Sequence, residues 1–198
     1  MREVELKAIV PDEGAARSRL ERAGARLTFE GRLEDRRYDE PSRRLTRQDQ
    51  VLRCRTYRDA AGAPARAELD WKGRTGADHG YKVREELGTA VGDPDALAQI
   101  LDRLGYVLIR EIDRVVAQYE LDGAVVRFER YPRLDILVEV EGEPDAIERA
   151  IAAMDIPRTA FSSARLPDFV AAYEARTGGR AALCARELAG DYRWGHDA

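Results

Sequence analysis

Cysteine and histidine are nearly missing from this chain. Cys54, Cys184, His79 and His196 are all it has among 198 residues, and no CxxC occurs. That excludes a Cys/His structural zinc site and a disulfide framework, and Cys54 reads as a small buried apolar side chain. Long apolar runs are missing too, so no segment suits a membrane-spanning helix of about 18 residues or more. Met1-Arg2-Glu3 opens a charged strand rather than an apolar leader, and the expected location is the cytoplasm. Nor does one charge dominate. Lys+Arg number 33 against 37 Asp+Glu, a net charge of −4, which sets nucleic acid and membranes aside as partners. A phosphate-binding P-loop is also absent. Residues 76–80 are glycine-containing but lack the Lys-Ser/Thr pair, and read as a hairpin loop carrying His79.

What the chain does have is charge of both signs, 35% of all residues, within a 44% hydrophobic composition and a length suited to one domain. Eight segments alternate polar and apolar residues as strands do: 2–10, 33–39, 51–58, 65–72, 81–88, 106–121, 124–131 and 135–142. A helix is expected from the cap Asp12 to Gly24. A second is capped by Asp93 and opened by Pro94, with Leu97, Ile100, Leu101 and Leu104 as its stripe and Gly105 as its stop. Two more are expected at 144–155 and 167–177, and residues 179–198 form a tail of unassigned structure. Strand, capped helix and hairpin-like strands recur from Glu3 and again from Tyr81. So many antiparallel strands with few helices suggest a mainly β (α+β) barrel rather than a doubly wound sheet.

The alternation carries chemistry. In Glu3-Val4-Glu5-Leu6-Lys7 the odd residues are charged and the even ones apolar; Arg53/Arg55, Glu68/Asp70/Lys72, Arg84/Glu86 and Glu139/Glu141 repeat the split. Two architectures answer this pattern. One is an ordinary sheet with its charged face in water. The other is an inside-out barrel whose outer apolar face is covered by helices and whose ionic face lines a wet tunnel. Few Ser, Thr, Asn or Gln residues dilute the charges, which fits the tunnel better. Such a lining suits a polyphosphate, held by Arg and Lys, with Mg²⁺ or Mn²⁺ held by Glu-x-Glu pairs. Trp71 falls on the apolar face as core, while Tyr57, Tyr81 and Trp194 are candidates to stack on a base at a tunnel mouth. His196 lies in the tail with no visible partner.

Taken in order, these segments resemble the CYTH, or triphosphate tunnel metalloenzyme, superfamily. Glu3-Val4-Glu5-Leu6-Lys7 resembles its ExExK signature. The stretch 41–55, ending Leu52-Arg53-Cys54-Arg55, resembles its extended arginine segment; Leu69-Asp70-Trp71-Lys72-Gly73, Arg84-Glu85-Glu86, Leu104-Gly105-Tyr106 and Val138-Glu139-Val140-Glu141 resemble later blocks. The resemblance implies a closed eight-stranded antiparallel tunnel over residues 1–178. It implies that Lys7, Arg53, Arg55, Lys72, Arg84 and Arg114 grip phosphates and serve catalysis. Glu3, Glu5, Glu139 and Glu141 would hold Mg²⁺ or Mn²⁺, with Glu86 and Glu129 as further candidates. Two departures stand out. Val116 replaces a cation on the sixth strand, leaving Arg110 to compensate from the same face, and Glu129 stands where an Asp is expected.

The superfamily includes class IV adenylyl cyclases, thiamine triphosphatases and inorganic triphosphatases. The expected function is therefore metal-dependent hydrolysis of a triphosphate: inorganic triphosphate, thiamine triphosphate or a nucleoside triphosphate. The alternatives are cyclisation of ATP to cyclic AMP, and a non-catalytic polyphosphate- or nucleotide-binding module. The partner is a small triphosphate molecule, and the protein a monomer or homodimer.

Overall fold

Alternation along strand β1 (Arg2–Ile9) turns Val4, Leu6 and Ala8 one way and Glu3, Glu5 and Lys7 the other, and every one of these side chains is buried. Both faces are covered because the sheet closes on itself. The computed structural model describes residues 2–193, so Trp194 and His196 lie outside the described residues. Along the chain follow α1 (Glu13–Arg22), β2 (Arg26–Asp39), α2 (Arg44–Arg47), β3 (Val51–Arg58), β4 (Pro64–Lys72), β5 (Gly76–Asp78), β6 (Tyr81–Val91) and α3 (Pro94–Arg103). Then come β7 (Val107–Leu121), β8 (Ala124–Arg130), β9 (Leu137–Glu141), α4 (Pro144–Met154), α5 (Leu166–Thr177) and α6 (Ala185–Leu188). The sheet order β1-β9-β8-β7-β2-β3-β4-β6 is closed by pairing of β1 with β6, all antiparallel, and β5 lies outside it against β6. This is the expected eight-stranded barrel. No helix among the described residues is long and apolar enough to cross a membrane.

The outward apolar faces lie under helices. Asp12 caps α1 through Ala15 N at 2.9 Å, and Asp93 caps α3 through the amides of Asp95 and Ala96, as the sequence anticipates. Ala146, Ile147, Ala150, Ile151 and Met154 make a buried stripe on α4 that packs with Leu20 of α1 against Val4, Leu6, Val126, Phe128 and Val140. At α3 the buried member is Leu101, set against Tyr38 and Cys54, while Ile100 and Leu104 are exposed. Tyr81 also lies on this outer side, donating its hydroxyl to Glu148 of α4 at 2.5 Å, so it is placed away from a tunnel mouth. Between β7 and β8, Asp122 and Gly123 both take positive φ (47° and 86°), the backbone of a tight hairpin turn.

Strand β2 begins at Arg26, earlier than the expected residue 33, and pairs along its length with β7. Gly31 hides this extension from the sequence, yet the fold needs it: a Cβ there would sit 2.1 Å from the Arg58 carbonyl oxygen. Gly31→Ala should therefore cost about 1–3 kcal/mol through forced backbone movement. A thermal melt that leaves the transition unmoved would contradict this close approach.

The tail docks on the barrel. Ala182 exchanges backbone hydrogen bonds with Arg133, the Asp113 amide donates to Leu183 O at 2.7 Å, and Ala181 and Leu183 pack on Ile112 and Val170. Leu188, by contrast, is half exposed.

Candidate functional site

Inward-facing side chains leave two cavities in the barrel. The first, about 360 Å³, is lined by eight cationic residues, Lys7, Arg37, Arg53, Lys72, Lys82, Arg84, Arg114 and Arg165, against four carboxylates, Glu5, Asp49, Glu129 and Glu139. The second, about 470 Å³, reverses the balance. Glu3, Glu68, Asp70, Glu86 and Glu141 line it with Arg55, Arg66 and Arg127. One cavity thus carries an excess of positive charge and the other an excess of negative charge. Such a bias, enclosed by low-dielectric walls, focuses the field on whatever enters.

Ion pairs cross from residues of one cavity to residues of the other. Glu139 accepts from Lys7 and, at 2.7 Å, from Arg127; Lys72 donates to Glu3 at 2.5 Å; Arg53 meets Asp70 at 2.9 Å. Asp35, fully enclosed, faces three guanidinium groups: Arg114 at 3.2 Å, and Arg53 and Arg55 each at 3.4 Å. Burial would raise the pKa of Asp35, but Arg114, Arg53 and Arg55 outweigh it and hold the carboxyl well below its usual range. Glu139 is likewise pushed up by burial and pulled far down by Lys7 and Arg127. Lys7, which burial would discharge, is kept charged by Glu139 and Glu5.

The acidic cavity is less well neutralised. Glu3 Oε2 is buried with no hydrogen-bond partner, and burial, then Glu5, raise the Glu3 pKa. Burial and then Glu139 push Glu141 up to about 7. Among the described residues no three Asp, Glu, His or Cys side chains converge as a ready-made metal cage. The donor chemistry nevertheless fits a hard divalent cation: crowded carboxylates with one orphaned oxygen, Glu3 Oε2.

Glu141 gives a pH prediction. Its folded pKa lies above the unfolded value of 4.5, so the native state holds a proton that the unfolded state has lost. The stabilisation is complete below about pH 4.5 and is lost as pH rises through about 7, on the order of 3 kcal/mol at most. In chelator, the difference in urea stability between wild type and Glu141→Gln should move against wild type across that window. A difference flat with pH would mean that Glu141 is ionised throughout.

Most of the expected site residues come together, divided between the cavities. Lys7, Arg53, Lys72, Arg84, Arg114, Glu5, Glu129 and Glu139 line the basic one, and Arg55, Glu3, Glu86 and Glu141 the acidic one. Arg110 does not belong. It is buried, lines neither cavity, and pairs with Glu187 of α6 at 3.0 Å. The β2–β7 ladder runs in regular register from Arg114 to Arg110 and shifts only beyond it, so what takes Arg110 away from the cavities is its pairing with Glu187 of the tail. Val116 packs among Leu33, Tyr57 and Phe29 instead of lining the anion path. Tyr57 edges the acidic cavity, but Arg66 covers its ring, 3.8 Å from the centroid. Trp71 is partly buried.

Sequence reasoning missed Arg37, Lys82, Arg127, Asp35 and Arg165. Lys82 and Arg127 shared the alternation of Arg84 and Glu129 and were available to it. Lys82 meets Glu5 at 2.5 Å. Burial, then Arg53, lower the Arg37 pKa to about 10.

A family model described as CYTH domain matches residues 1–160. No curated protein matches the sequence. Among solved structures, a Vibrio parahaemolyticus protein named as an adenylate cyclase shares 20% identity over 85% of this chain and 97% of its own, with a TM-score of 0.71. The PH1819 protein of Pyrococcus horikoshii shares 24% identity over 82% of this chain and 94% of its own, at 0.66. A Hippeastrum protein, named as an adenylyl cyclase and described as having a dominant triphosphatase activity, shares 17% over 88% of this chain and 95% of its own, at 0.59. At these identities each likeness shows the fold.

Proposed function

The chain belongs to the CYTH domain family, and from that premise we propose that it is a divalent-metal-dependent phosphohydrolase acting on a triphosphate inside the barrel. The observation that carries this reading is the excess of cations over carboxylates, eight to four, in a 360 Å³ cavity walled by β-strands. A triphosphate brings the opposite charge in a length such a cavity suits, and Arg and Lys donate charge-assisted hydrogen bonds to its oxygens.

In this reading Lys7, Arg53, Lys72 and Arg114 hold successive phosphoryl groups. Asp35 aims Arg53 and Arg114, Glu139 aims Lys7, and Glu3 aims Lys72 before substrate arrives, so little reorganisation accompanies reaction. Tyr131 donates its hydroxyl to Glu129 at 2.8 Å, and Glu129 in turn orients Arg114 at 2.7 Å. Glu3, Glu86 and Glu141 would hold Mg²⁺ or Mn²⁺, which supplies Lewis-acid charge to a phosphoryl oxygen.

Cyclisation of a nucleoside triphosphate is the second reading. It is the activity for which the Vibrio relative is named, and the same phosphate grips would serve it. The deciding experiment measures phosphate release from tripolyphosphate and from ATP, with Mg²⁺, Mn²⁺ or chelator, while cyclic AMP is assayed in the same reactions. Metal-dependent phosphate release without cyclic AMP is the expected result. Cyclic AMP and pyrophosphate would establish the cyclase instead, and tight binding without turnover would reduce the protein to a binding module.

A further inference from the structure

Resting on the triphosphate reading, we infer that Arg165 is a substrate-binding residue at the mouth of the basic cavity, closing on the outermost phosphoryl group. Arg165 lies beyond residues 1–160, the stretch the CYTH domain matches, yet it lines the cavity together with Leu166 and Pro167. Its backbone position is set from both sides. Ser162 exchanges two 2.9 Å backbone hydrogen bonds with Lys7, whose ammonium points into the same cavity. Leu166 packs into the cluster around Ile112 and Val170. Only the side chain is loosely held. The Arg165 guanidinium is about half exposed and stands 3.7 Å from Asp49 Oδ1, outside hydrogen-bond range. Asp49 has firmer business elsewhere: it accepts the Thr75 amide at 2.7 Å, and its carbonyl accepts Arg84 at 2.7 Å.

A cation parked beside an occupied carboxylate, on a fixed backbone, at the rim of an anion cavity, gains more from a phosphate than it loses in leaving Asp49. Lys7, Arg53, Lys72 and Arg114 are tied to buried carboxylates, whereas Arg165 can swing. It therefore supplies a positive charge at the mouth of the cavity. Only an anion long enough to extend past the deep cations reaches it, so Arg165 reads phosphate-chain length.

The test is calorimetric titration of metal-free protein with tripolyphosphate and with pyrophosphate at fixed ionic strength. Wild type, Arg165→Ala and Arg165→Lys are compared, with Arg149→Ala on the outer helix α4 as a charge control. Arg165→Ala should weaken tripolyphosphate about fivefold to tenfold, the low end for a charge-assisted contact at an exposed site, and leave pyrophosphate within about twofold. Arg165→Lys should recover part of the loss, and Arg149→Ala should change neither. Wild-type binding that Arg165→Ala leaves unmoved, or weakens equally for both anions, overturns the inference while the triphosphate reading stands. A wild type that binds neither anion removes that reading and the inference with it.

Discussion

Replacing Asp35 with Ala should lower the melting temperature by about 6–20 °C. The side chain is the shared counter-ion of Arg53, Arg55 and Arg114, all within 3.4 Å and all buried. Removing one partner from a buried charge cluster typically costs about 3–5 kcal/mol, because the remaining charges stay desolvated without compensation. In a chain of this size each kcal/mol moves the midpoint by about 2–4 °C. The same logic predicts a rescue. Tripolyphosphate should stabilise Asp35→Ala more than wild type, since an external anion would take up the charge the carboxylate leaves behind. A midpoint within about 2 °C of wild type would show that the three guanidinium groups do not depend on Asp35.

Glu139→Gln should reduce metal-dependent phosphate release roughly 10²–10³-fold, the scale on which single preorganised electrostatic groups act. Glu139 joins Lys7 of the basic cavity to Arg127 of the acidic one. An amide keeps the shape but neutralises neither cation, and its own NH₂ opposes one of them. Folding should suffer as well, by a few kcal/mol, so turnover must be compared below the melting point of the variant. Full activity in a folded Glu139→Gln protein would take this residue out of the catalytic machinery.

The sequence made the barrel legible because most of its strands carry a strict division of labour between faces. Residues 3–7 alternate carboxylate or ammonium with apolar groups, and both kinds are buried where that pattern places them. Strand β2 breaks the rule. Its inward Asp35 and Arg37 alternate with outward Glu34 and Arg36, and the outward Arg36 pairs with Asp113 at 2.7 Å on the neighbouring strand. With both faces ionic, alternation cannot tell inside from outside, and the central carboxylate of the site stayed hidden. Arg110 failed for a different reason. Its side chain is claimed by Glu187, a residue of the tail more than seventy positions later. Arg165 is likewise placed by tertiary contacts rather than by a strand, and no period in the sequence marks it.

The double pairing of β1 also governs when the site can come into being. Residues 2–5 pair with 82–85 of β6, and residues 5–9 with 137–141 of β9. Strand β1 is made well before β9 and must therefore wait for that later strand before its second edge is filled. Contacts this distant in sequence make for slow, all-or-none assembly. Until β9 is available, Lys7 stands on an open edge without Glu139, its partner across the ladder. A partly synthesised chain should carry none of the finished protein's anion affinity, and the barrel should gain it in one late step.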